Sequence, residues 1–348
     1  MRADSPYSGS PYDLRPRAVM EMLDATFRIY RENFIAYITI AASVIIPVTI
    51  VTIIQNAAFN TFDSRTFSRT QGADGIAQAC FLAIIGIVLS VIQVTVINGV
   101  FTKMASERHF GRILGASEAW SEAAPRLGSL AGTYILFYIV VALAFVATSF
   151  IGALCFPLFA LFGVIAYIAI TSGTLLAPVV VLEKIGGGAA FTRAHMIAKT
   201  RFWQLIGLGL LAFLLTFVIS LAFSALLLPI LVSTPSGILS TEGQIMNGVI
   251  TAIINILTAP IFPIAATLLY YDARVRGEGL DLSLQALGPD ARPGDVPPSD
   301  GSQALLDSKD YVNILVIVGA TVLAALVFGS ALYTLINTLV PGLESLPR

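Results

Sequence analysis

The stretch TLLYYDARVRGEGLDL, residues Thr267–Leu282, decides how the chain is read. An apolar helix ends there in Tyr270 and Tyr271, and the sequence turns at once to Asp272, Arg274, Arg276, Glu278 and Asp281. The chain ahead of it is mostly uncharged. Beyond it lie a polar linker and one more apolar segment. The stretch marks the point where membrane gives way to a charged layer.

Composition carries the same message across the whole chain. Of 348 residues, 56% are hydrophobic and 12% are charged, with a mean hydropathy of +0.84. Charged residues make up about a quarter of an ordinary soluble domain, so this chain lacks the charge to cover a globular surface. Uncharged runs occupy 33–62, 75–102, 127–182, 202–241, 243–271 and 311–343. One crossing takes about 20 apolar residues. Each run therefore spans once, except 127–182, which Cys155-Phe156-Pro157 divides into two spans. The expected fold is all-α and polytopic, with seven membrane helices.

A net charge of −1 offers no basic field, so nucleic acid is not an expected partner. Cys80 and Cys155 lie in apolar runs, where small hydrophobes pack between helices. No CxxC and no His/Cys cluster is present, so neither a metal nor another cofactor is expected. The first 32 residues contain no apolar core ahead of a cleavage site, which argues against a cleaved signal peptide.

Taken in order, the chain opens with a Ser/Pro/Tyr-rich tail, residues 1–15, expected to be disordered. Residues 16–282 form the membrane module. Within Arg17–Phe34, Val19, Leu23, Phe27, Tyr30 and Phe34 recur at helical spacing, and Arg17/Glu21, Asp24/Arg28 and Arg28/Glu32 stand four apart on the other face. This predicts an amphipathic helix on the membrane surface. Spans come next at about 35–59 and 76–101. Two further surface helices, at 116–126 and 188–201, precede spans at about 129–151 with 157–182, and at about 203–232 with 246–271. The joints RENF-IAYI, PRLG-SLAG and KTRF-WQLI look alike, so the module reads as three units, each a surface helix followed by a hairpin. Residues 283–310 read as a flexible acidic, Pro-rich linker, and 311–348 as a last membrane helix with a short tail. Small residues at Ala325 and Gly329 permit close packing of that helix.

Seventeen of the 20 Lys and Arg fall before the first span or between spans two and three, four and five, and six and seven. By the positive-inside rule the N-terminus is expected to be cytoplasmic. With seven spans the C-terminus falls outside.

No ionisable residue lies deep in a predicted span, which counts against ion-coupled transport. The polar residues there are Gln55, Asn56, Gln78, Gln93, Asn98 and Asn255, the types that hydrogen-bond between helices. Pro47, Pro178, Pro260 and Pro263 can kink or break helices, and a kink is expected at the 260–263 pair. The glycines before Arg193, Lys199 and Arg201 lack the spacing of a nucleotide loop. His109 and His195 belong to no catalytic motif, and enzymatic activity is not expected. The candidate site residues are instead Asp24, Glu183, Arg193, Asp272, Arg274 and Arg276. They are expected at one depth on the cytoplasmic side, most of them as a solvated interfacial rim, with pairing across the units or contact with anionic lipid head groups as the sharper alternatives.

The segments RPRAVMEMLDATFRIYRENF, VVVLEKIGGGAAFTRAHMIAKTRFW and LTAPIFPIAATLLYYDARVRGEGLDL, in that order, resemble a bacterial family of polytopic proteins. Its members are similar to the membrane domain attached to some glycerophosphodiester phosphodiesterases. The resemblance covers about Leu14–Leu282 and is most specific in the run from Tyr270 to Asp281. It implies six membrane helices with surface helices between them. It does not imply phosphodiesterase activity, since the catalytic barrel of those enzymes is a separate domain. His195 stands where an aromatic or other large residue is expected, and the linker with the seventh span is an addition. The expected role is a non-enzymatic scaffold or accessory module whose partners are the bilayer, anionic lipid and other membrane proteins. The alternative is a transporter or channel for a small or lipidic solute.

Overall fold

The computed structural model describes residues 17–60, 73–154, 161–233, 241–288, 291, 293–296 and 306–339. The N-terminal tail, Arg65, Arg69 and the Cys155-Phe156-Pro157 break fall outside them, as do the side chains of Asn56, Gln78, Ala325 and Gly329. Among the described residues every regular element is a helix. In order these are α1 (Val19–Glu32), α2 (Phe34–Asn60), α3 (Ala73–His109), α4 (Ala116–Leu154), α5 (Leu161–Thr174), α6 (Leu176–Pro178, continued by a π turn over Val179–Glu183), α7 (Gly187–Lys199), α8 (Phe202–Ser233), α9 (Thr241–Thr258), α10 (Ile261–Glu278), α11 (Leu280–Leu287) and α12 (Ser308–Leu339).

The stretches Phe34–Gln55, Cys80–His109, Ala116–Phe150, Phe202–Ala225 and Gly243–Glu278 are each long and apolar enough to cross a membrane, and α5 with α6 makes a sixth if their 44° bend lies within one span. The chain has the character of a multi-pass membrane protein. Proline sets both interruptions. Pro178 cannot donate to Thr174, four residues back, and its ring crowds that carbonyl; α5 ends at Thr174. Pro263 stands in the same relation to Ala259, the joint between α9 and α10. Pro47 and Pro125 lie inside continuous helices.

Three expectations need correction. The surface helix at 116–126 is not separate: α4 runs unbroken from Ala116 through Pro125 into the span, because one missing hydrogen bond does not end a helix supported on both sides. The protein-facing side of α1 is Met22, Ala25, Thr26 and Ile29, whereas Phe27 and Phe34 of the predicted stripe are exposed. Val19 and Tyr30 of that stripe pack against the core instead, and the Tyr30 hydroxyl donates to the Leu257 carbonyl at 2.8 Å. Glu32 of α1 binds Arg108 of α3 at 2.6 Å. Lastly, the expected linker starts as helix α11, and Leu284 and Ala291 are buried in the core.

The core sits at one end of the bundle. Buried side chains cluster over 36–45 in α2, 95–107 in α3, 119–134 in α4, 167–181 in α5 and α6, and 261–275 in α10. The far halves turn apolar side chains outward, with Ile84 and Ile87 in α3, Leu143 and Phe150 in α4, and Phe213 and Leu221 in α8 all exposed. Gln55 reaches across those far halves and donates to the Leu82 carbonyl at 2.7 Å.

Helix α12 docks on α5. Tyr167, fully buried, donates to the Asp310 carboxylate and hydrogen-bonds Asn313. One turn away the helices nearly touch: a Cβ on Gly163 would lie 2.1 Å from Val318 Cγ2. Ile314 completes a small apolar cluster with Tyr167 and Phe202.

Candidate functional site

The charged end is organised by α10. Four residues apart on one face, Arg274 and Glu278 pair through Nε to Oε2 at 2.8 Å. Arg274 is 1% exposed and also donates from Nη1 to the Tyr270 hydroxyl at 3.0 Å. That hydroxyl donates in turn to Glu183 Oε1 at 2.8 Å. The π turn ending at Glu183 and the left-handed Lys184 (φ +62°) carry this carboxylate inward, where its side chain is 3% exposed.

Arg193 of α7 closes the ring. It binds Glu183 with Nε and Nη2 at 2.8 and 3.1 Å, and Glu278 with Nη1 and Nη2 at 2.5 and 2.9 Å. Two forked guanidinium–carboxylate contacts from one side chain are the geometry that arginine, and not lysine, provides. Burial alone lowers the pKa of Arg193, but Glu278 and Glu183 outweigh it and hold the group above its ordinary value. Glu183, Glu278, Arg193 and Arg274 together carry no net charge, which is the condition for keeping ions out of water.

A second group surrounds Asp272, whose side chain is 2% exposed. Its Oδ1 accepts from Arg276 Nε at 3.0 Å and from the Arg17 backbone amide at 2.9 Å, tying α10 to the chain ahead of α1. Arg201 Nε lies 3.6 Å from Oδ2. Arg201's pKa is lowered by burial and by the neighbouring Arg276, with Asp272 acting against both.

Of the six predicted site residues, the structure joins Glu183, Arg193 and Arg274 in one network and Asp272 with Arg276 in another. Asp24 belongs to neither and is exposed on α1. Sequence reading overlooked Tyr270, Glu278, Arg201 and Arg17 as members. The four-residue spacings of Arg274 with Glu278 and of Asp272 with Arg276 were the available signal.

Gly279 ends α10 in the left-handed region (φ +62°) and donates its amide to the Val275 carbonyl at 3.2 Å. Gly279→Ala is expected to lower stability by about 1 kcal/mol, since an L side chain is strained there. The unfolding midpoint in detergent checks it, and Gly279→Asn should lose less.

The histidines do not converge. His195 is buried and shares a 2.7 Å hydrogen bond with Thr171. His109 stacks on Tyr271 at 5.1 Å. At the N-terminus of α7 the Gly187 amide donates to Thr133 Oγ1 at 2.9 Å. Among the described residues no group of three or more His, Cys, Asp or Glu is placed to hold a metal ion. Chemically, the two networks are ion-pair clamps that join α6, α7, α10 and the chain ahead of α1. Comparisons with protein-family models, with curated proteins and with solved structures find no match to this chain.

Proposed function

We propose that the protein is a non-enzymatic membrane module of the bacterial inner membrane, a scaffold or accessory element that presents apolar helix faces to lipid and to other membrane proteins. The observation that carries this reading is the use of the charged groups. Glu183, Arg193, Arg274 and Glu278 pair with one another in a neutral, largely buried ring, which suits them to holding helices together. Chemistry on a substrate would need such groups poised and accessible.

In this reading the charged end is cytoplasmic, supported by the 17 of 20 Lys and Arg that fall on that side of the expected topology. Six crossings belong to the module that resembles the phosphodiesterase membrane domain, and α12 is a seventh that leaves the cytoplasmic layer beside α5. Asp24 and Arg276 are the members of the predicted set left nearest the surface for lipid head groups.

Affinity purification of the full chain in native lipid, with identification of the proteins and lipids that co-purify, tests the role. A reproducible membrane-protein partner is the expected result. Recovery of no partner or lipid, together with solute movement in proteoliposomes, would replace the scaffold by a transporter. Reporter fusions at Gly187 and Gly279 test the topology, and both are expected inside.

A further inference from the structure

The corner where α7 meets α8 carries chemistry that the ion-pair clamps leave over. An open cavity of about 740 Å³ lies between this corner and the first turn of α12, a size suited to a small polar ligand. Lys199, Arg201 and Lys309 line it together with Asp307, Gln204 and Trp203.

Three features limit what fits there. Positive charge is in excess. Arg201 shares the single carboxylate of Asp272 with Arg276, and Lys309 is exposed. On the acidic side Asp307 lies 3.4 Å from Lys199, and Asp310, also in the lining, already accepts from Tyr167 and from the Asp307 amide. Next, Gln204 Oε1 is buried without a hydrogen-bond donor. A buried acceptor left unmade is unfavourable, so a ligand that brings a donor is preferred. Finally, Trp203 is 57% exposed and opens the span Phe202–Ala225, the level at which indoles mark the head-group region.

From these we propose that the cavity binds the head group of an anionic glycerophospholipid that carries free hydroxyls. Its phosphodiester lies against Lys199, Arg201 and Lys309, and a hydroxyl donates to Gln204 Oε1. A choline head group has no net charge and no hydroxyl donor, so it fits neither requirement. The proposal rests on the membrane-module reading for placing this corner at a bilayer surface, and it narrows that reading's lipid contact to one chemical class at one site.

The test uses the full chain in nanodiscs of phosphatidylcholine doped with phosphatidylglycerol, with retained lipid counted by native mass spectrometry. Phosphatidylglycerol is expected to be enriched over phosphatidylcholine. Lys309→Gln, at an exposed position, is expected to reduce that enrichment about fivefold, the value of one cation near an anionic surface. Arg28→Gln, which removes an exposed cation elsewhere on the charged end, should leave it unchanged. Gln204→Leu should weaken retention of phosphatidylglycerol and spare phosphatidic acid, which has no head-group hydroxyl.

Equal retention of the two lipids would overturn the proposal. So would equal losses from Lys309→Gln and Arg28→Gln, which would indicate diffuse surface attraction. Displacement of the lipid by millimolar glycerol phosphate would assign the site to a soluble anion. In any of these cases intact partner recovery leaves the scaffold standing, whereas Gly187 reporting from the outside would remove the membrane placement itself.

Discussion

Arg274→Ala is expected to lower stability by about 3–5 kcal/mol, the loss typical of removing one partner from a buried ion pair. Arg274 is 1% exposed and contacts Glu278, Tyr270 and, at 3.5 Å, Glu183. Without it two inward-facing carboxylates are left to share Arg193, and the ring of four charges acquires a net charge of −1. Water cannot easily enter to compensate, because Tyr270 and Tyr271 are both buried beside it. Arg274→Lys keeps a charge but loses the fork, so its deficit should be smaller without vanishing. Combining Arg274→Ala with Glu278→Gln restores neutrality, and the double variant should be more stable than Arg274→Ala alone, a non-additive result expected for partners in one network. Unfolding midpoints in a single detergent measure the series. If Arg274→Ala unfolds within about 0.5 kcal/mol of the parent, the range of an ordinary surface substitution, the ring does not hold the helices together.

Gly163→Leu is expected to lift α12 from α5 at a penalty of about 1–3 kcal/mol, the usual range for overpacking. A Cβ alone would sit 2.1 Å from Val318 Cγ2, and leucine adds three more carbons at the same crossing, more than a turn of the Val318 side chain can clear. Separation should also strain the Tyr167–Asp310 hydrogen bond one turn away. Amide exchange over 307–314 should quicken, while exchange in α1 and α10 stays at the parent rate. Tyr167→Phe supplies the comparison, removing the hydroxyl without a clash, and should quicken exchange less. Unchanged exchange in Gly163→Leu would show that α12 is not held at this crossing.

Much of the architecture was legible in the residues, and for identifiable reasons. Charge is so rare in this chain that its gaps outline the crossings, and prolines at 178 and 263 mark where two of them break, because a missing amide acts on a residue four positions back. What escaped was the third dimension. The depth of Glu183, Arg193 and Arg274 is set by their distance along the chain to the nearest span, but their azimuth is not. Arg193 and Glu278 are 85 positions apart, and only the packing of α7 on α10 brings them into contact. The docking of α12 was hidden for the same reason, since Tyr167 and Asp310 are 143 positions apart and neither belongs to a repeating pattern. The boundary expected between the 116–126 surface helix and its span is absent as well, because α4 is continuous there with Pro125 inside it.

The concentration of the core at the charged end has a consequence for how this protein tolerates change. Over 36–45, 95–107 and 261–275 each side chain meets other side chains, so volume and shape are constrained by neighbours. Around Ile84, Leu143, Phe150 and Phe213 the neighbours are the surrounding apolar medium, and a fluid imposes polarity without imposing shape. Leucine, isoleucine, valine and phenylalanine are therefore interchangeable there in a way that they are not near Tyr270. The molecule is selective about its residues at one face of the membrane and permissive toward the other, and substitutions that preserve function should accumulate along that axis.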